Sequence, residues 1–153
     1  SMTEILFYHL EQKPLEAVLP VLLEKTLERG WRAMVQCANA AKMPALDEAL
    51  WTFRAESFLP HMVLSEQVEL EELAEMPVLI ADNDENPNSA QIRFFVEGAV
   101  PEKAEGYERV VFMFNGHDPD AVTRARQAWK ALSKDHELTY WQQEPNGRWV
   151  KKA

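Results

Sequence analysis

The chain has 153 residues, 46% of them hydrophobic and 27% charged, with a net charge of −9. This length suits one domain over residues 1–153, and the composition excludes disordered and membrane-spanning classes: no apolar run nears the roughly 20 residues a bilayer crossing needs. An acidic chain is also a poor default binder of nucleic acid or anionic membrane. The charge is uneven, however. Residues 66–108 carry 12 acidic and 2 basic groups, whereas residues 109–153 carry 8 basic and 5 acidic, so the C-terminal third can face a negative partner. Cys37 is the only cysteine, which excludes an intrachain disulfide and a multi-cysteine metal site. The start, Ser1-Met2-Thr3-Glu4, lacks the basic then apolar pattern of a secretory signal, and a cytoplasmic protein is expected.

In chain order, Ile5 to Leu10 is a short apolar run with aromatics and reads as a buried strand. Pro14 opens a helix to about Glu28, with Leu15, Val18, Leu19, Leu22, Leu23 and Leu27 at helical spacing. Pro20 inside it should kink the helix or move its start, and Gly30 is placed to cap its end. Arg32 to Ala38 reads as a second strand and Pro44 to Trp51 as a short helix. Pro77 to Asp82, Ile92 to Val96 and Val110 to Phe114 are further strands, with a polar loop over Asp82 to Asn88. Asp118 and Pro119 are good N-cap and first-turn residues for a helix to Leu132. Leu138 to Gln142 and Arg148 to Val150 flank Glu144-Pro145-Asn146-Gly147, a hairpin signal in which Asn-Gly supplies positive φ values. Alternating strands and helices predict an α/β fold with a mostly parallel sheet and a C-terminal hairpin.

Such a fold invites a nucleotide, but the sequence has no G-x-x-x-x-G-K-[ST] and no G-x-G-x-x-G. Its five glycines, at 30, 98, 106, 116 and 147, do not cluster. The turn after the first strand, His9 to Pro14, is bulky and acidic where a phosphate needs bare backbone N–H groups. His61 near Asp47, Glu48 or Glu56 matches no ligand spacing and is expected to be a loop histidine beside surface carboxylates. His9, His117 and His136 are scattered. Cys37 in an apolar strand is expected to be a buried thiol. Asp82 to Glu85 lacks the pattern of a calcium loop and is expected to be solvated.

Two segments stand out. In the last long helix Val122, Ala125, Trp129 and Leu132 make a core stripe, while Arg126, Lys130 and Lys134 fall four apart on another face, with Arg124 nearby. By itself this reads equally as an ordinary solvated face or as a cationic binding stripe. Trp51 and Phe58, in a Pro-bounded segment between helix and loop, are either core or interface anchors.

The run Leu46-Asp47-Glu48-Ala49-Leu50-Trp51, followed by Ser57-Phe58-Leu59-Pro60-His61, closely resembles the chi subunit of bacterial DNA polymerase III. Arg126-Gln127-Ala128-Trp129-Lys130-Ala131, Leu138 to Gln143 and Gly147-Arg148-Trp149 extend the likeness over the whole chain. The resemblance implies a Rossmann-like sheet without a phosphate loop and a non-catalytic accessory subunit of the clamp-loader complex in DNA replication. It also implies two partners, the psi subunit and the acidic C-terminal tail of single-stranded DNA-binding protein (SSB), with DNA met only indirectly and no cofactor. Trp51 and Phe58 match the psi-contacting region, which another partner such as a helicase can also use. Arg126 matches the tail-binding arginine, Trp129 an aromatic commonly tyrosine, and Lys130 the following lysine. A basic position one turn earlier falls on Val122, so Arg124 substitutes for it, and an apolar pocket residue aligns near Asn115. Arg126 would then hold the terminal carboxylate with its planar fork, the apolar side chain would sit beside Trp129 and Phe114, and Lys130 and Arg124 would meet upstream acids.

Two other readings stay open: a metal- or nucleotide-dependent hydrolase on the α/β scaffold, and direct single-strand binding by Trp129, Trp141 and Trp149.

Overall fold

A computed structural model describes residues 3–53 and 59–153. Among the described residues, eight strands form one sheet in the order β3-β4-β2-β5-β6-β1-β7-β8, all parallel except the β7–β8 hairpin. The strands are β1 (Glu4–Leu10), β2 (Ala33–Gln36), β3 (His61–Val63), β4 (Val78–Ala81), β5 (Ile92–Phe95), β6 (Arg109–Asn115), β7 (Leu138–Gln143) and β8 (Trp149–Lys151). The helices are α1 (Leu15–Glu28), α2 (Met43–Thr52), α3 (Leu70–Glu75) and α4 (Pro119–Leu132). The α/β sequence expectation with its C-terminal hairpin holds, and β3 and α3 are additions to it.

The sheet's two faces follow the two-residue alternation of its strands. Leu6, Tyr8, Val35, Ile80, Val111 and Met113 point to one face, where Leu15, Val18, Leu19 and Leu23 of α1 and Leu46 and Leu50 of α2 cover them. Ile5, Phe7, Phe112 and Phe114 point to the other, under Ala121, Ala125, Ala128 and Leu132 of α4. On that second face Met34, Leu79 and Ala81 pack on Leu73 of α3. The inner strands are buried on both faces, which is why they read as continuous apolar runs. Each fully buried Leu, Ile, Val or Phe contributes about 1.5–3 kcal/mol of apolar transfer energy.

Local chemistry sets the boundaries. Pro20 is buried within α1 and does not interrupt it. The end of α1 closes as a Schellman motif: Gly30 at φ +80° donates to the Leu27 carbonyl at 2.9 Å and Trp31 to the Thr26 carbonyl at 3.2 Å. The hairpin turn differs from the expectation. Of Asn146 and Gly147, only Gly147 has positive φ, at +87°. Its N–H donates to the Glu144 carbonyl at 2.8 Å. This is a type I turn with Pro145 in its second position and a glycine bulge, so a single positive φ suffices.

Candidate functional site

Helix α4 starts because the Asp118 side chain accepts from the Asp120 N–H at 3.0 Å and Pro119 pre-sets the first turn. Its buried stripe is Ala121, Ala125, Ala128 and Leu132, small residues that let the helix lie close on the phenylalanine-rich sheet. Val122 and Trp129, expected in that stripe, are half-buried at its margin. Trp129 stands edge-on to Phe7 at 5.2 Å and to Tyr140 at 5.7 Å between ring centroids. Arg126 and Lys130 are exposed beside it, and among the described residues Arg126 has no carboxylate within ion-pair distance. Arg124 does not join them. Two residues apart on a helix of 3.6 residues per turn, Arg124 and Arg126 point about 160° apart.

Arg126 lies close to a polar cluster where β1 and β7 end. The Tyr140 hydroxyl is 2.6 Å from His9 Nδ1, and His9 Nε2 is 3.0 Å from Glu11 Oε1, although poorly aligned for a hydrogen bond. Gln142 Nε2 donates to Glu11 Oε1 at 2.7 Å, and His117 Nε2 donates to the Glu11 carbonyl at 2.7 Å. Burial lowers the His9 pKa from its ordinary 6.5, helped by His117 and Arg126 and opposed by Glu11. Burial raises that of Tyr140, with Arg126 opposing.

Gln143 extends the same link. It is 2% exposed, and its Oε1 accepts from the backbone N–H groups of both Gln12 and Lys13 at 3.0 Å. Those N–H groups follow β1, where nucleotide-binding relatives of this architecture hold a phosphate. An amide oxygen from the hairpin occupies them here.

Two cavities flank the other side of α4. The larger, about 730 Å³, opens between the ends of β1, β2, β5 and β6, and both Phe114 and Asn115 line it. The smaller, about 490 Å³, lies along Gln127, Ala128 and Ala131. Arg124 borders both, and Arg126, Trp129 and Lys130 line neither. Of the expected pocket residues, Phe114 and Asn115 therefore sit on the Arg124 side, whereas Trp129 stays beside Arg126.

Trp51 lies in the last turn of α2 and is 47% exposed. Its ring lies 4.1 Å from that of His61. His61 is not the expected loop residue: it is buried at the start of β3. Its Nδ1 faces the Leu59 carbonyl at 2.6 Å, and its Nε2 faces the Asp47 Oδ1 at 3.1 Å. Buried polar atoms require such partners, so the histidine ties α2 to β3 and makes a firm seat under Trp51. Phe58 and Glu56 fall outside the described residues.

The remaining candidates have structural roles. Cys37 is buried, and desolvation together with Glu97 and Asp82 pushes its thiol up to about 11, far from a reactive thiolate. Among the described residues no cluster of His, Cys, Asp and Glu could hold a metal. The Asp82–Asn88 loop is anchored rather than merely solvated. Arg93 on β5 is 2% exposed and donates to the carbonyls of Asn83 at 2.5 Å and Glu85 at 2.8 Å, and to Tyr107 and Gln36. Of the tryptophans offered for single-strand binding, Trp129 packs on Phe7, and Trp149 packs edge-on against Tyr8 at 5.1 Å. Sequence reasoning missed Gln143, Arg93 and the seat formed by His61. Only Arg93 left a signal, a charged residue inside an otherwise apolar strand.

The family described as DNA polymerase III chi subunit, HolC, matches residues 2–139. A DNA polymerase III subunit chi from Pseudomonas aeruginosa is 37% identical over 71 residues, which cover 44% of this chain and 50% of that protein. The chain thus spans about half the length of that relative. A probable DNA polymerase III subunit chi from Rickettsia prowazekii is 20% identical over 99% of this chain and 93% of its own length. Among solved structures, the C-terminal domain of the DEAD-box protein Dbp5 superposes with a TM-score of 0.57 at 16% identity, covering 92% of this chain and 91% of that one. The Hef helicase domain of Pyrococcus furiosus also reaches 0.57, at 10% identity over 95% of this chain and 36% of its own. These two likenesses are of fold alone.

Proposed function

This chain belongs to the DNA polymerase III chi subunit family, a family of replication accessory subunits, and on that premise we propose that it is a non-catalytic bridge in the clamp-loader complex. One surface, around Arg126, binds the acidic C-terminal tail of SSB. The other, around Trp51 and Phe58, binds the psi subunit or an alternative partner such as a helicase.

The observation that carries the tail site is the state of Arg126. It is exposed, has no carboxylate neighbour among the described residues, and stands with Lys130 beside the half-buried ring of Trp129. A guanidinium presented this way can take a terminal carboxylate in two parallel hydrogen bonds. The indole edge offers apolar contact alongside. Arg124, on the far side of the helix, is not part of this surface. Trp51 supports the second surface, because a large ring held half exposed by a buried histidine is a pre-organised anchor. The mechanism is tethering. Many tails on one coated strand raise the effective concentration, so each contact can be weak. Such binding weakens with salt.

Calorimetry with a C-terminal SSB peptide tests the reading. Arg126→Ala should abolish binding without unfolding the domain, and unchanged affinity would remove the assignment. Trp51→Glu should break a psi complex and spare the tail site. No specific observation favours the hydrolase, since the Gln143 amide already occupies the N–H groups that a nucleotide phosphate would use.

A further inference from the structure

His9 is 9% exposed and lies where several elements meet. Glu11 follows it after β1, Gly116 and His117 approach from the loop before α4, Arg126 acts on it from α4, and Tyr140 reaches it from β7. Tyr140 also stands edge-on to Trp129 at 5.7 Å and feels the Arg126 charge. One tyrosine thus runs from the buried imidazole to the surface that Arg126 and Trp129 share.

The 2.6 Å contact between the Tyr140 hydroxyl and His9 Nδ1 can be made in two ways. A neutral imidazole has one protonated and one bare nitrogen. Nε2 faces Glu11 Oε1 at 3.0 Å, an oxygen that accepts and cannot donate, so Nε2 holds the hydrogen and Nδ1 is bare. Tyr140 then commits its only hydrogen to Nδ1. In the imidazolium both nitrogens carry hydrogens. Nδ1–H donates to the Tyr140 oxygen, and the phenolic hydrogen is released. Glu11 Oε1 already accepts from Gln142 at 2.7 Å, which leaves an anion held by Arg126 as the acceptor for the released hydrogen. Resting on the SSB-tail reading, we propose that Tyr140 is a further binding residue of the Arg126 surface, switched on by protonation of His9, after which its hydroxyl donates to the tail's carboxylate. Glu11 offsets the charge that His9 gains, so the released donor carries the effect. Burial, with His117 and Arg126, keeps His9 neutral at about pH 7 against the pull of Glu11 and the Gly116 backbone. Tail affinity therefore rises as the pH falls below about 6.5, where the tail's own carboxylates stay ionised. Linkage makes the effect reciprocal, so the bound tail raises the His9 pKa.

The test is calorimetry of the full chain with the synthetic peptide Asp-Asp-Phe, acetylated at its amino end and free at its carboxylate, at about pH 7.5 and about pH 5.5. Wild type should bind about fivefold more tightly at the lower pH. Tyr140→Phe keeps the ring against Trp129 and should lose the acid gain while holding its affinity at the higher pH. His9→Gln should be indifferent to pH, and His117→Gln should keep the gain. Melting curves at both pH values establish that each variant is folded. The second arm needs no variant: NMR titration of the wild-type His9 ring should move to higher pH when the peptide is saturating, which a purely structural histidine would not do. An acid gain that survives in Tyr140→Phe, or that disappears only in His117→Gln, would overturn the proposal, as would a His9 titration unmoved by peptide. Binding that is indifferent to pH would overturn this inference alone. No binding at either pH would overturn the SSB-tail reading and this inference with it.

Discussion

The hydroxyl of Tyr140 and Nδ1 of His9 lie 2.6 Å apart, joining β7 to the carboxyl end of β1 next to Arg126. Burial, with His117 and Arg126 adding to it, lowers the His9 pKa from 6.5. The unfolded chain therefore binds this proton more readily than the folded one. The contribution to stability is complete above about pH 6.5 and is lost as the pH falls through the interval beneath that value. Urea unfolding at about pH 7 and about pH 5 should show wild type losing more stability than His9→Gln on acidification. Equal losses would show that His9 does not report this environment.

Gly116 passes so close to the His9 ring and the Leu10 carbonyl that a side chain there has no room. Its N–H donates to that same carbonyl at 2.7 Å. Gly116→Ala should destabilise the protein by about 1–3 kcal/mol through overpacking. Adding His9→Ala should recover part of the loss, because the smaller side chain frees the space. Additive costs in the double variant would contradict this account.

Arg93 is a buried guanidinium whose partners are carbonyl, amide and hydroxyl oxygens rather than a carboxylate. Arg93→Met would leave those oxygens without a donor. Each buried unsatisfied group costs about 1–3 kcal/mol, so the variant should be among the least stable single substitutions. Hydrogen exchange should show the first loss of protection in residues 82–91. A drop confined to the termini would argue against the anchor role.

Trp129 and Arg126 should separate stability from binding. Trp129→Ala removes a ring packed on Phe7 and Tyr140 and should cost about 3–5 kcal/mol in denaturant. Arg126→Ala, on the exposed side, should change stability by no more than about 0.5 kcal/mol. Trp129→Tyr keeps an aromatic edge against Phe7 and is the variant with which to measure tail affinity.

Periodicity made α1, α4, β1, β4 and β6 legible, because each buries a long stretch or a regular stripe. It failed for β3, three residues long, and α3, six residues rich in glutamate, which are too short for any period to emerge. The hairpin was legible as a turn but not its type, since Pro145 shifts the positive φ onto Gly147 alone. The cationic face was legible from the four-residue spacing of Arg126 and Lys130. The separation of Arg124 from that face was equally readable from helix geometry, whereas the cleft beside it was not. That cleft is built by loops after four strands, and their approach depends on the strand order. Gln143 was unreadable for the same reason, because the Gln12 and Lys13 N–H groups it satisfies lie far away in sequence.

β1 lies inside the sheet between β6 and β7, so neither of its neighbours precedes residue 109. While the ribosome makes this chain, Ile5 and Phe7 emerge before residues 109–143 and wait for the strands those residues form. Over that interval the opening strand is an apolar segment with unpaired backbone groups, suited to capture by a holding chaperone. Native topology can close only after β7 has emerged.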